Sequence, residues 1–277
     1  MTPYRTQALD TTSSAELYLF NLWRSWGLLK KISCLNHSTY STRKTAWYFA
    51  QSQSGLLNKH QQIAYFLQKI GEFPPLSATP HLSPNLTMLG VIEEALVVIK
   101  VLESLGIPYC IGGSVASGIW GELRYTQDLG LIADLNRDHI HDLVKAFSPR
   151  FYLSDQAILD EIEHRQSFNL IDNETGWKID IFILALDPFH QNQFQRKQKL
   201  TVDEHNHSLW IASAEDTILQ KILWHRLSQR QSQQQWRDIL GMLKLQNDRL
   251  EISYLKHWAN FLDIGRDLEQ AFIEAGY

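Results

Sequence analysis

The residues with the type and spacing to do chemistry begin at a glycine turn. Gly112, Gly113 and Ser114 close the short apolar run IPYCIGG (107–113) and precede VASGIWGEL (115–123), which can form a helix. A Gly-Gly-Ser turn between a strand and a helix lets backbone N–H groups and a hydroxyl approach a phosphate closely. The helix dipole behind it favours anions. Arg124, Thr126 and Asp128 follow, and Asp128 opens a second apolar run, DLGLIADL (128–135). Asp180 stands alone between Ile179 and Ile181. A carboxylate there is costly to bury unless it is paired, exposed on the solvent side of a hairpin or bound to a metal. Carboxylates converging on a phosphate are ligands for Mg²⁺, which prefers oxygen donors and substrate phosphates. Arg124 suits either a phosphate contact or a brace for its own loop through a carboxylate such as Asp128.

In order and spacing, IGGSVASGIWGELRYTQDLGLI resembles the signature of the DNA polymerase β-type nucleotidyltransferases. These share a Gly-Gly/Ser turn, a carboxylate-apolar-carboxylate strand and a third, later carboxylate. Thirteen residues (115–127) separate Ser114 from Asp128, and Asp180 in KIDIF falls in the third position. The run IASAEDTILQKILWHRLSQRQSQQQWRDILGML is similar to the AbiEii-like abortive-infection branch, where a lysine on one helix and an aspartate on the next complete the site. The resemblance covers about 86–277. It implies a nucleoside triphosphate held by Gly112, Gly113, Ser114, Arg124 and Lys221, Mg²⁺ on Asp128 and Asp180, and a catalytic set of Asp128, Asp180, Lys221 and Asp238. It further implies a hydroxyl acceptor such as tRNA or a protein side chain, and a toxin–antitoxin or phage-defence setting with a cognate antitoxin. Asp238 could instead pair with Arg237 or a neighbouring helix.

One departure bears on the chemistry. The family pattern has a second carboxylate two residues after the first, and this sequence has Asp128-Leu129-Gly130. Strand alternation puts position 130 on the face of 128, so a ligand is missing there. Asp134 shares that face but lies roughly 13 Å beyond position 130 at about 3.3 Å per residue. Two ligands suffice for one Mg²⁺ with waters and phosphates, while a two-metal clamp does not follow. The alternative is a nucleotide-binding or interaction module that has lost its chemistry.

The elements that must position these residues can be read from periodicity. SAELYLFNLWRSWGLLKK (14–31) repeats apolar residues at helical spacing, a second helix is expected over 55–70, and EFPPLSATPHLSPN (72–85) has four prolines that make it a linker. LTMLGVIEEALVVIKVLESLG (86–106) reads as a helix ended by Gly106. SFNLID, the turn NETG and WKIDIFIL (167–184) read as a hairpin, 138–147 as a helix, and the chain from Ser213 onward as helical. Ser213 with Glu215 and Asp216 reads as a helix cap with an acidic first turn. The pattern argues for an α+β or α/β class. With the resemblance it becomes an α+β nucleotidyltransferase-like core with a small mixed sheet (86–212), a C-terminal helical region (213–277) and a helical N-terminal extension (1–85).

Composition sets the frame. Residues 1–85 carry eight basic and three acidic side chains, leaving eighteen and twenty-seven for the remainder. The basic segment, with Arg24, Lys30, Lys31, Arg43, Lys44, Lys59 and Lys69, is either a footprint for RNA or a solvated helix face. Two cysteines, Cys34 and Cys110, cannot form a disulfide framework, and no Cys/His cluster has zinc spacing. No run of about 18 uncharged apolar residues and no leader pattern is present, so a cytoplasmic chain is expected.

Overall fold

The computed structural model describes residues 4–7, 11–53, 61, 62, 66, 90–126, 128–153 and 155–277. Apart from residues 61, 62 and 66, the expected helix over 55–70 lies outside them, as does the Pro-rich segment 72–85. Contacts divide the chain into two units. One, here the helical unit, comprises Met1–Cys34, Ile111–Leu123 and Leu186–Tyr277; the other, the sheet unit, comprises Leu35–Cys110 and Arg124–Ala185.

Within the sheet unit, β2 (Asp128–Ala133) runs parallel to β5 (Lys178–Ile183). β5 pairs antiparallel with β4 (Ser167–Asp172), and β4 with β3 (Phe151–Tyr152). The strand order is β3-β4-β5-β2-β1, with β1 at Tyr109–Ile111. The expected hairpin forms as β4 and β5. In its turn, Asp172 Oδ1 accepts from the backbone N–H of Glu174 at 2.7 Å and of Thr175 at 3.3 Å, and Gly176 takes φ +67°. This is the Asx-turn chemistry that favours Asp at the head of a turn and Gly where φ is positive. Leu129, Leu131 and Ala133 of β2, with Ile179, Ile181 and Ile183 of β5, are buried on one face. Each leucine and isoleucine among them contributes on the order of 2 kcal/mol relative to exposure. The opposite face, with Asp128, Gly130, Lys178 and Asp180, is only half-buried. Helix α3 (Val91–Ser104) buries Val91, Ile92, Ala95, Val98, Ile99 and Leu102 and packs against α5 (Ile140–Phe147).

Within the helical unit, the last residue of β1, Ile111, pairs parallel with Ile211 of β7 (Ser208–Ile211), and β7 pairs antiparallel with β6 (Gln198–Thr201). The turn after β1 leads into α4 (Gly113–Trp120). Helices α8 (Ala214–Leu227), α9 (Gln233–Gln246), α10 (Ile252–Phe261) and α11 (Gly265–Ala275) enclose a core that includes Ile218, Ile222, Trp236, Ile239, Leu243 and Trp258. Ser213 caps α8 by accepting from Asp216 N–H, with Glu215 and Asp216 in the first turn, as expected. Parallel and antiparallel pairings flanked by helices make this an α+β chain.

Two expectations need correction. The apolar stripe over 14–31 is not one helix: α1 (Ser13–Ser25) ends at Trp26, whose ψ of 136° is extended, and α2 (Leu28–Gln53) starts after Gly27. Glycine is among the weakest helix formers, so the break falls where propensity is lowest. Nor do the basic residues of this segment share one solvated face. Lys31 and Arg43 are buried, and Arg24 donates to the backbone carbonyls of Lys244 and Leu245. No described helix is long and apolar enough to cross a membrane.

Candidate functional site

The sheet unit holds the two carboxylates. In the parallel β2–β5 register, Asp128 stands opposite Lys178, and Gly130 opposite Asp180. Parallel neighbours share a face, so these four positions form a small quadrilateral. Its sides are roughly 4.8 Å across the strands and about 6.6 Å along them. Three corners carry charge, and the Gly130 corner has no side chain. Lys178 Nζ lies 3.1 Å from Asp180 Oδ1. Burial pushes the Asp180 carboxyl above its ordinary range; Lys178 counters that and the negative charge of Asp128 adds to it. On the far side of β5, Asp180 faces the exposed Asn169 of β4.

This donor set fits one Mg²⁺. It offers two oxygen ligands from one half-buried face and a carboxylate whose charged form would gain from a cation. Among the described residues, no group of three or more His, Cys, Asp or Glu side chains is placed to hold a metal ion. Arg124, on the same stretch of chain, donates from Nη1 to the carbonyl of Tyr125 at 2.9 Å, and Thr126 Oγ1 donates to the carbonyl of Asp128 at 3.1 Å. Both bonds stiffen the approach to β2.

The helical unit holds the turn. Gly112 adopts φ −125° and ψ −149°, and Gly113 takes φ +58°, in the left-handed region where a Cβ is strained. A Cβ built on Gly113 would meet nothing within 4 Å, so the glycine is required by backbone conformation rather than by crowding. This reversal turns the chain directly from β1 into the first turn of α4. Gly113 and Ser114 are half-buried, whereas Val115 and Ala116 behind them are fully enclosed.

Lys221 on α8 and Asp238 on α9 come together in the same unit. Lys221 Nζ is 2.8 Å from Asp238 Oδ2 and donates to Gln235 Oε1 at 2.8 Å; both charged side chains are about as enclosed as core leucines, at 2% and 3% exposure. Gln234 Nε2 donates to Asp238 Oδ1 at 3.0 Å. Ser117 Oγ lies 3.3 Å from Asp238 Oδ2 and 3.0 Å from the carbonyl of Ser114. A path of polar contacts therefore runs from the Lys221–Asp238 pair through Ser117 to the glycine turn. Arg237, the other partner open to Asp238 in the sequence, is occupied by Glu122, with its Nε donating to Glu122 Oε2 at 2.7 Å.

Sequence reasoning missed Ser117, Gln234, Gln235 and Lys178. Lys178 could have been found, because strand alternation puts it on the face of Asp180. The glutamines lie in the Gln-rich stretch, where composition conceals a specific role.

No protein-family model matches the chain, and a search of curated proteins finds no match. Among solved structures, the chain is similar to an antigenic nucleotidyltransferase-like protein from Paracoccidioides brasiliensis, at 22% identity over 66% of this chain and 92% of that one, with a TM-score of 0.37. It is also similar to the lincomycin-bound lincosamide antibiotic adenylyltransferase LnuA, at 13% identity over 58% of this chain and 99% of that one, with a TM-score of 0.39.

Proposed function

We propose that this chain is a nucleotidyltransferase that takes a nucleoside triphosphate with Mg²⁺ and transfers the nucleoside monophosphate to a hydroxyl acceptor, releasing pyrophosphate. The observation that carries the reading is the register of β2 and β5, which puts Asp128 and Asp180 on one half-buried face of neighbouring strands. The Gly113–Ser114 turn grips the β- and γ-phosphates through backbone N–H groups and the hydroxyl. Asp128 and Asp180 would hold Mg²⁺, which supplies Lewis-acid polarisation of the α-phosphate when bound. The acceptor oxygen forms its bond to the α-phosphorus as the bond to the bridging oxygen breaks, and Asp180 helps activate the acceptor hydroxyl by taking its proton. Lys221, already enclosed against Asp238, serves as a positioning residue that fixes the α4 turn through Ser117.

The acceptor is tRNA or a protein hydroxyl, and the setting is a toxin or phage-defence system with a cognate antitoxin. The test is label transfer from α-³²P-NTP to tRNA and to total protein. Transfer should fall by about 10²–10³-fold in Asp128→Ala and in Asp180→Ala, the scale of losing a group that stabilises transition-state charge. Label transfer that survives both changes sinks the site.

The Gly130 corner favours a second reading, a nucleotide-binding module without turnover. That reading requires wild type to bind NTP without transferring label, and Gly130→Asp to gain Mg²⁺-dependent transfer. Robust wild-type turnover discards it.

A further inference from the structure

We propose that Lys178 is a built-in counter-ion standing where a second divalent cation would otherwise be needed, so that the site accepts one metal ion and no more. The proposal rests on the reading of Asp128 and Asp180 as metal ligands. Its own observations concern a residue outside the sequence signature.

The quadrilateral on β2 and β5 holds the argument. Two divalent ions bring four positive charges, which even three carboxylates would only partly offset, and here the corner at 130 is bare while the one at 178 is cationic. Two carboxylates and one ammonium sum to −1, which a single divalent ion overturns to +1; a second ion would raise it to +3 before any phosphate arrives. Lys178 lies along its own strand and reaches Asp180 at 3.1 Å to Oδ1 and 3.4 Å to Oδ2, within bonding range of both carboxylate oxygens. An ammonium on those oxygens competes with any metal for the same lone pairs. Its partner across β4 is the buried Ile171 and its partner across β2 is Asp128, so the register gives it two carboxylates, Asp128 and Asp180, as charged neighbours on that face. The lysine is half-exposed, with side-chain exposure of 35%, so it can swing off Asp180 when a divalent ion arrives without breaking the core. Lys178 thus sets both how many ions bind and how tightly the one ion is held.

The test measures metal alone, with Mn²⁺ as the probe, by electron paramagnetic resonance and calorimetric titration on the full chain. Wild type should bind one Mn²⁺. Lys178→Met keeps the aliphatic stem and removes the charge, and should tighten Mn²⁺ binding by at least tenfold. Lys178→Met combined with Gly130→Asp should bind two. Asp180→Asn should abolish the effect of Lys178→Met. Unchanged or weaker Mn²⁺ binding in Lys178→Met, or two ions in wild type, overturns the proposal; Lys178→Gln with a circular-dichroism melt separates that result from misfolding. No nucleotide enters this experiment. A chain that fails to transfer label yet shows the Lys178 effect refutes the nucleotidyltransferase reading alone, and the reverse pattern refutes the counter-ion alone.

Discussion

Lys221 and Asp238 show how little freedom a buried charge leaves its partner. With both side chains almost fully enclosed, removing either one strands the other in a low-dielectric setting, which typically costs about 3–5 kcal/mol. Lys221→Met should therefore lower unfolding stability by about that amount, while Lys221→Met with Asp238→Leu should lose much less, as read by urea denaturation. Similar losses in the single and double variants would mean the pair is not a closed unit. Gly113 makes a different demand. With φ +58° and open space around it, Gly113→Ala costs about 1–2 kcal/mol through backbone strain alone, and a fall in melting temperature should report it. The family resemblance singled out Lys221 and Asp238 separately as site residues; that they pair with each other was not legible, since spacing alone allows Asp238 to choose Arg237. The requirement for glycine at 113 was legible directly, because few other residues can make such a turn.

Among the elements, α9 is held by residues far from it in sequence. Glu16 of α1 pairs with Lys244 at 3.1 Å with both side chains buried, Tyr4 donates its hydroxyl proton to Glu16 at 2.6 Å, and Gln7 Nε2 donates to the carbonyl of Arg237 at 3.0 Å. Glu16→Ala leaves Lys244 enclosed without its carboxylate and should destabilise α9, seen as faster amide exchange over residues 233–246. This role was not legible in the sequence, where the N-terminal stripe shows only apolar residues at helical spacing and the family resemblance begins at about 86. In the sheet unit, Arg43 shows the same effect: it is sealed over the ring of Trp177 at 4.5 Å and donates to the carbonyl of Thr175 at 2.7 Å, and burial pushes its pKa down to about 10. A guanidinium stacks flat on a ring and is more weakly hydrated than an ammonium, which lowers the cost of enclosing it. Helix α3 adds Glu94, fully buried beside Asp172 and accepting from Thr175 Oγ1 at 3.0 Å. Burial first, and Asp172 second, raise its carboxyl well above the usual range, against the opposing pull of Arg150. A raised carboxylate favours the folded state below the unfolded pKa of about 4.3 and loses that contribution as pH climbs towards the folded value. Glu94→Gln should thus gain stability relative to wild type between acid and neutral pH, checked by melting temperature against pH. A constant difference across that range would refute the assignment.

At the scale of the whole molecule, the chain passes between its two units at four points, after residues 34, 110, 123 and 185. Neither unit is a continuous stretch. The part that carries the family resemblance, 86–277, omits Glu16, the partner of Lys244, and Arg43, which covers Trp177. Expressed as a fragment it should melt well below the full chain or fail to fold, as measured by calorimetry and by dispersion of its amide resonances. The strand-turn-helix core was readable because its signals are local: alternation, a capped helix, a glycine turn. The closing contacts were not, because they join positions more than a hundred residues apart. The two cysteines offer a clock for this architecture. Cys110 on β1 is wholly enclosed and Cys34 on α2 is half-buried. A thiol reagent should therefore label Cys34 in an early phase, and Cys110 only as often as the strand leading into the glycine turn opens. Where reclosing outruns the reagent, the ratio of the two rates gives, without a mutation or a dye, the fraction of time that strand spends open.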